Sequence, residues 1–285
     1  MDIAVVGAGR AGTALAVLLR RAGHAIVGVS GSDGTADRAA RYLEGVPVLD
    51  AVAAASGAEV VLLGVPDDAI APTSADLAAA GAFREGQVVA HLSGAGGLDL
   101  LGAAAQAGAS VLSLHPLQTF PSVDAALDRV AGAVFAVTAG DERAEQVGFR
   151  LAEDVGGRPF VLADKDKAVY HAAAVFASNY VVAVLGTAEE LFAAVGVPEP
   201  LEAMAPLARA SLDNALSAGP VPALTGPVAR GDAETVSNNL RALGKNPARA
   251  EAYAALARMA LSLAERGGLS KDGAAAIREV LSAWR

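Results

Sequence analysis

The apolar positions along this chain change their spacing about halfway, and that change divides the molecule. Up to about residue 163, short apolar runs of strand length recur at 2–6, 25–30, 44–50, 59–65, 87–92, 110–114, 133–138 and 158–162. Between several of them lie segments with helical spacing, clearest at 13–21 and 141–155. Runs such as Val60-Val61-Leu62-Leu63 are apolar at every position, as expected of strands buried on both faces of a parallel sheet. From 164 onward no strand pattern returns. Helical segments are expected at 164–195, 199–217, 232–243, 247–266 and 270–284, separated at Gly and Pro. The expectation is therefore an α/β fold, with a doubly wound parallel sheet over residues 1–163 and an all-helical domain over 164–285.

The join between the first strand and the first helix carries the strongest motif, Gly7-Ala8-Gly9-Arg10-Ala11-Gly12. A G-x-G-x-x-G loop placed between strand and helix, in a β-α-β unit of about 30 residues, predicts a dinucleotide site. Gly7 would form the tight turn, Gly9 would let a pyrophosphate approach the backbone, and Gly12 would let helix pack on strand. The N–H groups at Arg10, Ala11 and Gly12 would face the phosphates at the helix N-terminus. An acidic residue that would hold a ribose 2′-OH is expected at the end of the second strand. Here that place holds Ser30-Gly31-Ser32, and the first carboxylate is Asp33. Ser30 and Ser32 leave room for a 2′-phosphate, with Arg10, Arg38 and Arg41 nearby as candidate counter-charges, so NADP is the expected cofactor.

In doubly wound sheets ligands bind beyond the carboxyl ends of the strands. That rule raises interest in Val65-Pro66-Asp67-Asp68, His91-Leu92-Ser93 and His115-Pro116-Leu117-Gln118-Thr119-Phe120. Val65, Pro66, Asp67 and Ser93 are expected beside the cofactor, Asp68 as a helix cap, and His115 along the substrate. Asp67 and Asp68 have no partner spaced to complete a metal site, and none is expected. On the first helix after residue 163, Lys167 and His171 stand at i and i+4, with Ser178 a heptad beyond and Asn179 next to it. A lysine–histidine pair on an apolar helix suits a group that polarises a carbonyl and a group that donates a proton. His171 is the expected proton donor, Lys167 the electrostatic group, and Asn179 and His115 the groups that orient the substrate. Near the C-terminal third, Asp232 is expected to cap a helix, and Arg230 is a candidate for a substrate carboxylate.

Composition narrows the field further. The chain of 285 residues is 53% hydrophobic with a net charge of −9, which fits a globular protein and disfavours nucleic-acid or anionic-membrane partners. It has no cysteine, which rules out thiol catalysis and disulfides and suits the cytoplasm. The 21 uncharged residues between Lys167 and Glu189 are long enough to span a bilayer. With His171, Ser178, Asn179 and many alanines among them, they read better as a helix buried in protein. The Ala/Leu-rich helical half has too few charges to solvate every face, and a homodimer is expected.

Taken together, GAGRAG, VPDDAI, HLSG, HPLQTF, KAVYHAAAVFASNY and LTGPVARGD resemble the Rossmann-like proteins that carry a C-terminal domain of unknown function, DUF2520. The broader clan is similar to pyrroline-5-carboxylate reductase, ketopantoate reductase and the β-hydroxyacid dehydrogenases. The resemblance implies an NADP-dependent oxidoreductase with a helical, dimer-forming C-terminal domain, acting on a small carbonyl compound such as a 2-keto acid. An imine reductase and a non-catalytic NADP-sensing protein are the alternatives. In the relatives a lysine on the long helix, with an asparagine one turn later, handles the carbonyl. Lys167 matches the lysine by location, whereas His171 stands at the asparagine position.

Overall fold

A computed structural model describes Met1–Trp284. It divides into two compact units, Met1–Ala177 and the part from Ser178 onward. The first unit therefore includes the opening helix of the stretch in which strands cease, because Lys167 on that helix is buried against strand ends.

In the first unit seven strands form one sheet: β1 (Asp2–Val6), β2 (Ala25–Ser30), β3 (Val60–Leu63), β4 (Val88–His91), β5 (Ser110–Pro116), β6 (Val134–Ala139) and β7 (Arg158–Val161). Their spatial order is β2-β1-β3-β4-β5-β6-β7. The chain leaves β1 toward β2 on one side and returns to add β3 on the other, so the switch point of the sheet lies at the end of β1. Eight helices belong to this unit: α1 (Arg10–Arg21), α2 (Thr35–Tyr42), α3 (Ala51–Ser56), α4 (Asp67–Ala79), α5 (Gly102–Gln106), α6 (Val123–Arg129), α7 (Glu142–Asp154) and α8 (Lys167–Ala177). Alternate residues of the central strands enter two cores. Ile3, Val5, Leu62 and Leu112 join Leu15, Leu19 and Leu151 on one face. Ala4, Val6, Leu63 and Val89 join Ile70, Leu77 and Leu101 on the other. Period-two alternation with both sides apolar gives the two-layer burial read from the sequence.

Three expectations need correction. Residues 44–50 form no strand: a single parallel bridge joins Val48 to Val29, flanked by Val29 N–H to Pro47 O and Leu49 N–H to Val29 O. Pro47 lacks the N–H that a continuing ladder would use. Second, β6 runs antiparallel to β5, with Pro116 opposite Phe135. The intervening α6 packs on α1 through Val123, Ala126 and Ala14. The chain thus re-enters the sheet at the end where it left and must run back. Third, the expected helix over 164–195 is broken at Ser178, whose φ of −132° and ψ of −73° are not helical. Its hydroxyl donates to Asn179 Oδ1 at 3.0 Å, the kind of local side-chain bond that favours helix ends.

The second unit continues with α9 (Asn179–Ala194), α10 (Pro200–Ala218), the short α11 (Pro220–Ala223) and α12 (Pro227–Arg230), then α13 (Ala233–Leu243), α14 (Pro247–Arg266) and α15 (Lys271–Ser282). Val228, Val236, Leu240, Ala254, Leu261, Ile277 and Leu281 form its core, drawn from α12 to α15. As expected, Asp232 caps α13, its Oδ1 accepting from Thr235 N–H at 3.0 Å. By contrast, among the described residues α9 buries none and α10 only Met204. The stretch Asp164–Ala194, long and apolar enough to cross a membrane, has none of its most apolar window buried. Among the described residues of this stretch only Lys167 is buried within the single chain, so the burial in protein expected from the sequence is not supplied by this chain alone.

Candidate functional site

The glycine loop has the geometry its motif demands. Gly7 sits at φ +90°, and a Cβ there would lie 2.6 Å from the Val65 backbone nitrogen. A Cβ on Gly12 would lie 2.8 Å from Gly7 O. Both positions are closed to a side chain, which is how β1, α1 and the end of β3 approach so closely. Gly9 differs, because a Cβ there would meet no heavy atom within 4 Å. It is the N-cap of α1 with no side-chain cap, so first-turn N–H groups of α1 stay available to a ligand. Ser30 O accepts from the N–H of Gly7 and of Ala8, fixing the loop to the end of β2.

A cleft of about 820 Å³ opens over this loop. Of the residues expected beside the cofactor, it is lined by Gly7, Gly9, Arg10, Ala11, Ser30, Ser32, Val65 and Pro66, with Gly12 packed beneath. Thr35, Arg38, Thr73, Asp76 and Phe120 are also part of the wall. Arg38 is held in place, its Nε donating to Ala8 O at 2.9 Å and a terminal nitrogen to Thr35 Oγ1 at 3.2 Å. Arg10 reaches Pro121 O at 3.0 Å. Arg41 is drawn elsewhere, into an exposed ion pair with Asp124 at 3.0 Å, and is absent from the lining.

A polar cluster has formed where β4 and β5 meet α8. Ser93 Oγ donates to Asp67 Oδ2 at 2.7 Å. Lys167 is 2% exposed, and its ammonium donates to Ser113 Oγ at 2.6 Å and to Ser93 O at 3.3 Å. Burial lowers its pKa from the ordinary lysine value, against the opposing pull of the Asp164 and Asp67 carboxylates. Asp67 thus stands in the first turn of α4 with its side chain turned to Ser93. Pro66 takes the N-cap position there, so Asp68 lies inside the helix and is not its cap.

Three of the four histidines, His91, His115 and His171, were candidates from the sequence, and they differ. His91 is fully buried: its Nδ1 accepts from Ser93 N–H at 3.1 Å, which leaves Nε2–H to donate to Gly97 O at 3.1 Å. Burial, followed by the Lys167 charge, lowers its pKa to about 4. It is a neutral ring tying the loop after β4. His115 Nδ1 lies 2.9 Å from the Tyr170 hydroxyl, and burial with the charges of Lys167 and His171 again lowers its pKa to about 4. His171 is half-buried one turn beyond Lys167. Asn179 opens α9 in the second unit, exposed, and Ser178 does not continue the Lys167–His171 face because its backbone leaves the helix. Ser113 and Tyr170 were not singled out from the sequence. A signal for Ser113 exists, since it and His115 are alternate polar residues in an apolar strand and so share a face.

Comparison with known proteins agrees with this architecture. Residues 1–116 match the Rossmann-like domain and residues 133–260 the domain of unknown function DUF2520. No curated protein matches the chain in sequence. Among solved structures, a Bacteroides fragilis protein provisionally described as an NADP oxidoreductase is 24% identical with a TM-score of 0.74, over 92% of this chain and 98% of that one. A Thermotoga maritima protein is 26% identical with a TM-score of 0.72, over 93% and 98%. The reductive aminase of Aspergillus terreus, solved with NADPH and ethyl levulinate, is 18% identical with a TM-score of 0.60, over 99% and 92%. The fold is shared with NAD(P)-dependent reductases, and the chain is a Rossmann-like protein carrying a DUF2520 domain, as its motifs implied.

Proposed function

We propose that this protein is an NADP-dependent reductase of a small carbonyl compound, with 2-keto acids such as ketopantoate the first class to test. The observation that carries the reading is the closed–open–closed pattern at Gly7, Gly9 and Gly12 beneath a cleft of about 820 Å³, a shape that would cradle a diphosphate. The first turn of α1 would hold the pyrophosphate. Ser30, Ser32 and Arg38, which line the cleft, would meet a ribose 2′-phosphate, since the end of β2, Ser30-Gly31-Ser32, carries no carboxylate. When bound, the dinucleotide supplies the hydride. The chain supplies binding, orientation and charge, with Lys167, His171 and His115 as the candidate groups. Lys167 brings the positive charge, which favours oxygen acquiring negative charge in the transition state.

One observation favours imine reduction as the second reading. The Lys167 ammonium is already engaged by Ser113 and Ser93, and an iminium needs less help from an acid than a ketone does. A sensor that binds NADP without turnover is the reading from another class. The test is NADPH consumption by the purified protein with panels of small 2-keto acids and cyclic imines, alongside binding by nicotinamide fluorescence. Turnover in either panel separates the enzymes from the sensor, and binding with no turnover in both would overturn the reductase reading.

We further propose a homodimer in the cytoplasm. Val182 on α9 and Leu207 and Leu216 on α10 are 70%, 67% and 77% exposed in the single chain. Exposed apolar side chains on two successive helices suit an interface, and a second copy is the occupant we propose for them, with no membrane or nucleic acid required.

A further inference from the structure

Tyr170 stands on α8 between Lys167 and His171 and meets the His115 ring edge to face, with centroids 5.5 Å apart and planes at 88°. The phenol oxygen and His115 Nδ1 are 2.9 Å apart. Phe160 of β7 packs against the tyrosine ring, 6.0 Å between centroids. On its other side His115 is wedged against the loop after β4, since a Cβ at Gly94 would lie 2.7 Å from His115 Nε2. Two neighbours thus fix each ring, while Tyr170 keeps partial exposure. Among the described residues no hydrogen bond orients His171, and Lys167 already donates to two groups of the chain. A proton donor held in one geometry gains over an unheld one.

Resting on the reductase reading above, we propose that the Tyr170 hydroxyl is the catalytic proton donor to the substrate oxygen, with His115 as the residue that positions it. As the carbonyl carbon is reduced, the C=O electron pair moves to oxygen. The Tyr170 O–H bond breaks, an O–H bond forms on the product, and the bonding pair stays on the phenolate. His115, neutral and carrying its proton on Nδ1, donates to that phenolate, and a proton from water then restores the hydroxyl. Burial supports these protonation states, raising the Tyr170 pKa to about 12 and lowering that of His115 to about 4, so phenol and neutral imidazole coexist across the neutral range. The Lys167 charge reaches His115 and helps keep its ring neutral.

Tyr170→Phe removes the hydroxyl and keeps the ring, so folding and donor chemistry can be separated. Parent and variant are compared by thermal transition, by NADPH titration, and by turnover of two probes. One is a small 2-keto acid, whose oxygen must gain a proton, and the other an N-alkylated cyclic iminium, whose nitrogen needs none. The expected result is an unchanged transition and NADPH affinity, kcat for the keto acid lower by roughly 10²–10⁴ with little change in KM, and an unchanged rate with the iminium. His115→Phe should give a smaller loss, again confined to the keto acid. Keto-acid turnover by Tyr170→Phe at the parent rate would overturn the proposal and leave the reductase reading standing. Equal loss with both probes would overturn it in favour of a packing role. A parent that reduces only the iminium needs no donor and overturns it too, and a parent that binds NADPH but reduces neither probe removes the reductase reading along with it.

Discussion

A methyl group added at Gly9 would meet no heavy atom within 4 Å, whereas one added at Gly7 would lie 2.6 Å from both the backbone nitrogen and a side-chain carbon of Val65. The two alanine variants should therefore fail in different ways. Gly9 has φ −73° and ψ −159°, an extended conformation that alanine adopts, so Gly9→Ala should change stability by less than about 1 kcal/mol. Its methyl would occupy the space through which a pyrophosphate must approach the first turn of α1. Losing one hydrogen bond to a charged group, at about 1.5–3 kcal/mol, corresponds to a roughly 10- to 150-fold rise in the Kd for NADPH. Gly7→Ala must carry a left-handed residue, costing about 1–2 kcal/mol, and must also displace backbone that no rotamer change can relieve. It should lower the thermal midpoint by roughly 4 °C or more. Nicotinamide fluorescence and thermal unfolding on the same preparations read both quantities. A Gly9→Ala protein that binds NADPH as tightly as the parent, with an unchanged melting curve, would refute the assignment of this loop as the phosphate cradle.

Three further outcomes are expected. Ser30→Asp places a carboxylate at the end of β2 and should weaken NADPH selectively over NADH, as should Arg38→Ala; tighter NADH than NADPH binding by the parent would refute the preference. His91 and His115 are held neutral, with pKa values of about 4 against 6.5 unfolded, so below the unfolded value the unfolded chain binds more protons and stability falls as pH drops from about 6.5 toward 4. Each ring accounts for up to about 3 kcal/mol over that window, so thermal midpoints measured down the pH scale should fall, and a flat profile would contradict the burial of both rings. Light scattering at micromolar concentration should return about twice 28.3 kDa; a monomer mass, or flotation of the protein with lipid vesicles, would remove the second copy as the partner of α9 and α10.

The elements legible in the sequence are those set by neighbours along the chain. The strand–loop–helix of β1, Gly7–Gly12 and α1 follows from glycine sterics and local periodicity, and seven of the apolar runs became strands within a residue or two. Asp232 announced its cap because a carboxylate three residues before a backbone N–H is a local arrangement. The strand-end rule also brought His91, Ser93 and His115 to notice before any fold was in view. What those groups touch was decided only in three dimensions. Lys167 reaches Ser113 across 54 residues and His115 reaches Tyr170 across 55, and no spacing within either segment encodes the meeting. The same holds for the direction of β6, set by the docking of α6 on α1, and for the exposure of α9, whose apolar composition shows only that it must be covered. Periodicity records which face of an element avoids water, because that preference acts residue by residue. Which partner supplies the dry surface, and which polar groups are then buried together, depends on packing between segments far apart in the chain, and so belongs to the tertiary structure.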